Sequence, residues 1–293
     1  MSLDRTLHFF GGVLRSDPLS FPDMLRRRAL EAILTVPRGR ASSDFGEVRF
    51  EVDLALHAIA RKYYFHTHEM YLERIFRRHL KPGSIFVDIG ANLGYWSAFA
   101  AQLVGRAGEV HAFEPVPHIF SSMARLRDLN PGRRLVLRNV ACGAERGRIA
   151  MAVVPPSTAN YDNFDTNIGS SSLLPGFLAH RSDLIETIDV EVIRFEDHVV
   201  EHDLDLDRVG LIKIDVEGYE QFCFDGMESI LRRSGRRVPI LCEILTDLDR
   251  DEPLDGAAVI RRLEWHGYTC LDATTLKPID PTRLRFEENI LCV

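Results

Sequence analysis

The sequence predicts an α/β fold with a mostly parallel sheet and helices on both of its faces. Short apolar runs at residues 84–89 (SIFVDI), 108–113 (GEVHAF) and 135–140 (LVLRNV) have the composition of strands that are buried on both faces. Segments with helical spacing of apolar residues, 95–104 and 116–129, lie between these runs. This alternation implies right-handed crossover connections and therefore parallel strands.

The same pattern returns nearer the C-terminus. Residues 211–215 and 240–245 are again short and apolar, and a helix is expected between them. A further helix is expected over 254–266. Residues 268–272 and 289–293 then pair as a hairpin that closes the sheet.

An insertion is predicted at about 148–195, inside a domain that spans residues 81–293. Strands are expected at 148–154 and 187–195, separated by a loop over 155–183 that is rich in serine and amide side chains. Connections of about 30 residues are uncommon inside a compact domain and often form lids or binding loops. The loop therefore either contacts a polar substrate or is a solvated connection.

Residues 1–80 are expected to form an N-terminal extension that caps the domain and faces the substrate. Helices are predicted over 22–35 and 69–80. A strand is predicted over 46–54, because apolar and charged residues alternate there. This extension is close to neutral, and the acidic excess of the chain lies beyond residue 80.

Composition disfavours several classes of protein. The chain has 293 residues, 36 basic and 43 acidic side chains and a net charge of -7, whereas dedicated nucleic-acid binders usually have a basic excess. No apolar run approaches the roughly 18 residues that span a bilayer, so a cytoplasmic protein is expected. The five cysteines have no metal or redox spacing and are expected to be buried hydrophobic side chains.

Polar residues follow the first two predicted strands. The turn DIGANLG contains Asp88, Gly90, Asn92 and Gly94, and such a turn lets a ligand approach the backbone and the helix N-terminus. Asn92 replaces the second glycine of the dinucleotide fingerprint, which disfavours a dehydrogenase. Asp88 suits a ligand that carries an ammonium or sulfonium group. Glu114, at the end of the second strand, suits the hydroxyls of a ribose.

A third motif, IKIDVEGYE, covers residues 212–220. Strand alternation puts Lys213 and Asp215 on one face. A lysine in an apolar strand needs a partner, and either Asp215 or Glu243, at the end of the next strand, is suitable. Carboxylates at adjacent strand ends face the crevice where parallel α/β sheets bind their ligands.

Together these motifs resemble the FkbM family of S-adenosylmethionine-dependent methyltransferases. The resemblance rests on VDIGANLGYWS (87–97), FEPVP (113–117), NVAC (139–142) and IKIDVEGYE (212–220), with a looser match at KYYFHTHE (62–69). It implies a Rossmann-like class I methyltransferase fold, with seven strands in the order 3-2-1-4-5-7-6 and the seventh antiparallel. The residues that it assigns to S-adenosylmethionine are Glu69, Asp88, Gly90, Ala91, Asn92, Gly94, Glu114, Pro115, Asn139 and Val140.

The resemblance also implies a reaction, methyl transfer to a hydroxyl of a small molecule such as a sugar, a glycoside or a polyketide-type metabolite, with S-adenosylhomocysteine as the product. An alcohol must lose its proton to become a good nucleophile. Asp215 is the first candidate for the base, and Glu217 or Glu243 is the second. Lys213 would orient the base or lower its pKa.

Four alternatives remain open at this point. Asp215, Glu217 and Glu243 are able to gather Mg²⁺, although no dedicated spacing favours a metal site. A second alternative is that the chain is a non-catalytic module that binds S-adenosylmethionine. A methyltransferase acting on protein or nucleic acid is disfavoured, because the fourth strand ends in IDVE rather than in a turn that stacks a flipped base. A homo-oligomer is possible.

Overall fold

The computed structural model describes residues 21–34, 39–54, 59–155, 171–174, 185–233, 237–247 and 254–293. Most of the predicted loop over 155–183 lies outside these ranges, as do residues 1–20 and the last residue of the helix predicted over 22–35. Among the described residues, no helix is both long enough and apolar enough to cross a membrane.

The N-terminal extension consists of short elements. They are α1 (Phe21–Ile33), β1 (Arg40–Ser42), β2 (Glu51–Asp53), α2 (Ala60–Tyr64), a 3-10 turn (Met70–Leu72) and α3 (Glu73–His79). The strand predicted over 46–54 is wrong in its first half. Gly46 has φ of 56°, and the chain turns there so that Phe45 and Val48 pair with each other across an isolated bridge. The apolar face of this segment is nevertheless buried, as the alternation indicates.

Aromatic side chains join the extension to the first helix of the domain. Tyr63 of α2 stacks on Tyr95, with ring centroids 4.6 Å apart and an interplanar angle of 12°. Phe76 of α3 stacks on Trp96 at 4.5 Å. Stacked pairs of this kind contribute about 0.5–1.5 kcal/mol beyond the area they bury. The extension is therefore packed against the YWS part of the first sequence motif.

The domain begins with three parallel strands and two helices in alternation. They are β3 (Ile85–Ile89), α4 (Tyr95–Val104), β4 (Glu109–Phe113), α5 (Pro117–Leu129) and β5 (Arg134–Arg138). Every residue of β3 and β4 is buried, as the apolar runs predict. Helix α4 packs on β3 and β4, and α5 packs on β5.

A separate three-stranded sheet interrupts this pattern. It contains β6 (Ala141–Cys142), β7 (Gly147–Val153) and β8 (Glu186–Ile193) in the order β6-β8-β7, and helix α6 (Phe195–Glu201) follows. Strands β7 and β8 are antiparallel over seven residue pairs. The two strands predicted at 148–154 and 187–195 are thus confirmed as neighbours in one small sheet.

The second half of the domain completes the central sheet. Its elements are β9 (Val209–Ile214), α7 (Glu220–Asp225), α8 (Glu228–Leu231), β10 (Ile240–Leu245), α9 (Gly256–Trp265), β11 (Cys270–Asp272) and β12 (Glu287–Cys292). The helix predicted between the two apolar strands is divided into α7 and α8.

The central sheet has seven strands in the order β5-β4-β3-β9-β10-β12-β11. Strand β12 is antiparallel to both of its neighbours, and the pairs among β5, β4, β3, β9 and β10 are parallel. Counted along this sheet alone, the order is 3-2-1-4-5-7-6 with the seventh strand antiparallel. The predicted fold and the predicted C-terminal hairpin are both confirmed.

The cysteines require a correction. Cys270 and Cys292, expected to be separate hydrophobic side chains, form a disulfide between β11 and β12. The two residues lie directly opposite each other in the antiparallel register, with Cα atoms 4.2 Å apart. Only the strand pairing brings them together, because they are 22 residues apart in the chain. Cys142, Cys223 and Cys242 are buried free thiols, as expected.

Asn130, immediately after α5, ties the extension to the domain by hydrogen bonds. Its Nδ2 donates to the carbonyls of Arg49 (2.8 Å) and Leu126 (2.7 Å), and its Oδ1 accepts from the N–H of Arg49 (2.8 Å). The side chain is buried. A single amide therefore satisfies both backbone groups of Arg49 in the segment before β2.

Replacement of this amide tests that connection. Asn130→Ala leaves buried backbone groups without partners, and we expect the free energy of unfolding to fall by about 1–3 kcal/mol in urea denaturation. Asp128→Ala, at an exposed position in the last turn of α5, is the matched control and is expected to unfold near the wild-type midpoint. Equal midpoints for the two variants would show that Asn130 does not anchor the extension.

Candidate functional site

Acidic side chains lie where four neighbouring strands of the central sheet end. Asp88 is the next-to-last residue of β3, and Glu243 lies near the end of β10. Glu114 follows β4, and Asp215 follows β9. The carboxyl ends of parallel strands meet at one edge of the sheet, which is where α/β folds bind their ligands. Strand β3 lies between β4 and β9 and pairs with both, so the ends of these three strands are adjacent.

The turn after β3 packs closely against the end of β9. Gly90 has φ of 80°, and a Cβ placed on it would lie 1.8 Å from the carbonyl oxygen of Asp215. The N–H groups of Gly90 and Ala91 both donate to the carbonyl of Phe113, at 3.0 and 2.9 Å. Gly94, with φ of 84°, begins α4. This sequence of residues forms the turn because only glycine tolerates both the positive φ and the close approach.

The same turn orients Glu114. The N–H of Asn92, which has φ of 51°, donates to Glu114 Oε2 at 2.9 Å, and the N–H of Val116 donates to Oε1 at 2.9 Å. Burial raises the pKa of Glu114 to about 7. Asn139 Nδ2 donates to the carbonyls of Glu114 (2.8 Å) and Pro115 (2.9 Å), so it holds the loop after β4 in place.

Asp88 has a buried carboxylate with one oxygen available. Its Oδ2 accepts a hydrogen bond from Ser97 Oγ at 2.6 Å. Its Oδ1 is buried and has no hydrogen-bond partner among the described residues. Burial raises the pKa of Asp88. A buried acceptor without a donor is costly, and a ligand N–H or ammonium would satisfy it.

Lys213 connects β3 and β9 at this edge. It lies beside Asp88 in the parallel register, and its Nζ donates to Asp215 Oδ2 at 2.6 Å. Its side chain is only 3% exposed. Burial alone would lower the pKa of Lys213, but the carboxylates of Asp215, Asp88 and Glu69 raise it, so the ammonium stays charged. Of the two partners that the sequence leaves open, the structure selects Asp215.

Three acids form a cluster after β9 and β10. Carboxylate oxygens of Asp215, Glu217 and Glu243 all lie within 4.8 Å of one another. Burial, together with the charge of Asp215, raises the pKa values of Glu217 and Glu243 well above the usual range. Oxygen atoms at this spacing are able to surround a hydroxyl group or to hold a hard cation such as Mg²⁺.

The insertion reaches this cluster through Ser172. Its hydroxyl donates to the carbonyl of Glu217 at 2.8 Å, and its backbone pairs with Ala152 of β7. Glu217 has φ of 51°, which is strained for a residue with a side chain. The sequence leaves open whether the serine-rich segment contacts a substrate or is a solvated connection; its described part contacts the turn that bears Glu217.

Two residues at the site were not predicted from the sequence. Tyr71 and Asn289 both lie within hydrogen-bond distance of one another and of Glu69, which the resemblance alone assigned to the site. Asn289 is on β12, where it follows two glutamates and precedes the apolar residues of the strand, and no sequence motif marks it. Val140, the last of the residues assigned to the cofactor, is buried beside Asn139.

A family model described as "Methyltransferase FkbM domain" matches residues 88–270, which is more than half of the chain. The chain is 28% identical over 235 residues to 31-O-demethyl-FK506 methyltransferase FkbM from Streptomyces tacrolimicus, a match that covers 73% of this chain and 84% of the relative. It is also 28% identical over 148 residues to Methyltransferase 1 from Beauveria bassiana, covering 50% of this chain and 59% of that protein.

One similar solved structure is a SAM-dependent methyltransferase from Aquifex aeolicus. It is 10% identical to this chain, with a TM-score of 0.40, and the match covers 79% of this chain and 96% of that one. The fold of this chain follows from the strand order and pairing described above.

Gly90 offers a direct test of the turn. Gly90→Ala places a methyl group against the carbonyl of Asp215, so we expect it to push the ends of β3 and β9 apart and to abolish measurable binding of S-adenosylhomocysteine in calorimetry. Gly83→Ala is the matched control, because Gly83 also has a positive φ of 88° but no atom within 4 Å of its added Cβ. The control should lose about 1–2 kcal/mol of stability but bind normally. Wild-type affinity in Gly90→Ala would contradict this role.

Proposed function

This chain belongs to the FkbM methyltransferase family, and we propose that it is an O-methyltransferase that uses S-adenosylmethionine to methylate a hydroxyl group of a small molecule. The observation that carries the proposal is Asp215, a carboxylate at the end of β9 that is paired with Lys213 and lies beside Glu217 and Glu243. A cluster of carboxyl groups is suited to removing a proton from an alcohol.

The residues at the ends of β3 and β4 fit the cofactor. The buried Asp88 Oδ1 would accept a hydrogen bond from its ammonium group, and the close approach of Gly90 to the carbonyl of Asp215 would hold the ends of β3 and β9 in place beside it. Glu114 would accept hydrogen bonds from the ribose hydroxyls, since each carboxylate oxygen keeps a second lone pair. Asn139 and Val140 would border the adenine. S-adenosylmethionine, when bound, supplies the electrophilic methyl group.

Asp215 is the proposed general base. Its side chain is 27% exposed, so a substrate hydroxyl is able to reach it, while Lys213 holds it in one orientation. Burial and the neighbouring charge of Asp215 raise the pKa values of Glu217 and Glu243 well above their usual range, which favours their protonated forms. They would therefore donate hydrogen bonds to the substrate. Alignment of the hydroxyl oxygen with the methyl carbon and the sulfur would supply much of the rate.

The acceptor end of the site is formed by Asp215, Glu217, Glu243 and Glu69, and its charge favours neutral acceptors. Glu69, whose pKa is lowered to about 2, and Asp215 lie near the buried ammonium group of Lys213, which is already paired with Asp215. A phosphate or carboxylate on the acceptor would be repelled, because such interactions are strong where water is scarce. A sugar, a glycoside or a polyketide-type alcohol without an anionic group is the proposed acceptor class. The relative that is named for 31-O-demethyl-FK506 supports a small-molecule acceptor.

Methyl transfer from labelled S-adenosylmethionine tests the proposal. We expect label in neutral glycosides or polyketide-type alcohols, and little or none in sugar phosphates, protein or nucleic acid. Asp215→Asn should lower kcat by about 100-fold or more while S-adenosylhomocysteine still binds, since loss of a general base costs about 100- to 10,000-fold. Asp280→Asn, at an exposed position far along the chain, is the control and should retain wild-type kcat.

Each alternative has its own outcome in this assay. A full single-turnover rate in Asp215→Asn would remove Asp215 as the base. Binding of S-adenosylhomocysteine without any labelled product would identify a non-catalytic binding module. Label in protein or nucleic acid alone would replace the small-molecule proposal. Unchanged activity in EDTA would exclude a required divalent cation at Asp215, Glu217 and Glu243.

Cofactor binding should depend on pH through Glu114. Burial raises the pKa of Glu114 from 4.5 to about 7, so in the free protein this acid favours the folded state while protonated, and that contribution is lost as pH rises through about 7. Ribose hydroxyls donate to the ionised form. The affinity for S-adenosylhomocysteine should therefore fall as pH is lowered below about 7, approaching about tenfold per pH unit, and level off above it.

Calorimetric titrations of wild type and Glu114→Gln across this range provide the check. The glutamine variant should bind more weakly and with a flat pH dependence. Burial also raises the pKa of Glu220, on α7, to about 7. If Glu114→Gln keeps the wild-type slope, Glu220 or another group is responsible and the assignment of Glu114 is wrong.

A further inference from the structure

Asn289 joins three elements that are far apart in the chain. It lies on β12, directly opposite Glu243 of β10 in the antiparallel register. Its Nδ2 donates to Glu69 Oε1 at 2.7 Å and to the hydroxyl of Tyr71 at 3.0 Å, and lies 3.5 Å from Glu243 Oε2. A side-chain amide has two N–H donors, so the two short bonds use both, and the Glu243 contact is longer and shared.

The backbone conformation of Glu69 requires stabilising contacts from other residues. It has φ of 40° and ψ of 40°, in the left-handed region that side chains other than glycine rarely adopt. Its second oxygen, Oε2, lies 3.2 Å from His68 Nε2. Strained backbone of this kind persists only where the surroundings determine it fully, and such positions concentrate at functional sites.

The pKa values of the two carboxyl groups near Asn289 are shifted in opposite directions. Burial would raise the pKa of Glu69, but His68, Lys213 and Asn289 lower it to about 2, so Glu69 is ionised. Burial and the charges of Asp215, Glu287 and Glu69 raise the pKa of Glu243 well above its usual range. Neighbouring acids with opposite shifts are typical of sites where one group accepts and the other donates a hydrogen bond.

We propose that Asn289 is a positioning residue of the acceptor end of the site, where its amide holds Glu69 and Tyr71 of the N-terminal extension against Glu243 of β10. The antiparallel seventh strand then has a role beyond completing the sheet, because it assembles a surface from the two ends of the chain. The proposal rests on the proposed function in one respect, which is that this surface is the acceptor end of a methyl-transfer site.

Three variants at this position distinguish the effect of the amide hydrogen bonds from the effect of side-chain volume. Asn289→Leu keeps a similar size without any hydrogen bond, Asn289→Asp replaces the donors by acceptors next to two acids, and Asn289→Gln keeps the amide. We expect the Leu and Asp variants to lower kcat/KM for the acceptor by about 10- to 100-fold, as misplaced groups do. The Gln variant should recover part of that loss. The resemblance assigns Glu69 to S-adenosylmethionine, whereas this proposal places it on the acceptor side, so the affinity for S-adenosylhomocysteine should stay near the wild-type value in all three.

Glu288→Gln is the matched control on the same strand. Glu288 points to the opposite face of β12 from Asn289 and interacts with Arg285. Its loss removes an ion pair from β12 without touching Glu69, Tyr71 or Glu243. Wild-type kcat/KM is expected, so a loss seen only at Asn289 cannot come from a general weakening of the strand.

A second readout does not depend on turnover. With glutamate labelled by ¹³C at the side-chain carboxyl, NMR follows the protonation of Glu69, whose signal is identified as the one lost in Glu69→Gln. In wild type the signal should stay at the carboxylate position down to the lowest pH at which the protein is folded. In Asn289→Leu it should begin to titrate at a higher pH, because a donor to the carboxylate is lost.

The two readouts distinguish failure of this inference from failure of the proposed function. If wild type methylates no hydroxyl, the proposed function fails, and the Glu69 signal alone decides whether Asn289 holds it. If the Leu variant does not fold, the Asp and Gln variants supply the same comparison. An unchanged Glu69 signal together with unchanged kcat/KM in the folded variants would overturn the proposal. A loss of kcat/KM that the Gln variant does not relieve, with an unchanged Glu69 signal, would also overturn it.

Discussion

The arrangement of the site depends on one buried ammonium group, that of Lys213. It lies in the middle of the central sheet, at 3% exposure, with Asp88 on the neighbouring strand and Asp215 directly after the end of its own strand. A buried charge without partners is strongly unfavourable, and removal of one member of such a pair typically costs about 3–5 kcal/mol. The lysine therefore requires acidic groups at the ends of β3 and β9, which Asp88 and Asp215 supply.

Several carboxyl groups lie near this ammonium group, and their pKa values are shifted in different directions. Burial and the charge of Asp215 raise the pKa values of Glu217 and Glu243, which favours the neutral forms of these two groups close to Asp215. Glu69 is ionised because His68, Lys213 and Asn289 surround it. The result is a set of hydrogen-bond donors and acceptors within one small volume, which is the combination that recognition of a polyhydroxylated or otherwise neutral molecule needs.

Backbone strain is concentrated at the same place. Three residues other than glycine, Glu69, Asn92 and Glu217, have positive φ and lie in the site. Each is held by contacts from a different element: Asn289 bonds to Glu69, Glu114 accepts from the N–H of Asn92, and Ser172 donates to the carbonyl of Glu217. Strain is tolerated here because surrounding contacts determine each conformation, and it fixes side chains in directions that relaxed backbone would not give.

Patterns within one segment determined much of this protein from sequence alone. The apolar runs, the glycine turn at Gly90 and the acids Asp88, Glu114 and Asp215 predicted the parallel sheet and the cofactor end of the site, because strand alternation and strand ends are local properties. Only the tertiary structure decided that Lys213 pairs with Asp215, that Cys270 meets Cys292, and that Asn289 contacts Glu69 across 220 residues of chain. These contacts depend on the register of strands that are distant in sequence, and register is set by packing of the whole sheet rather than by any one segment.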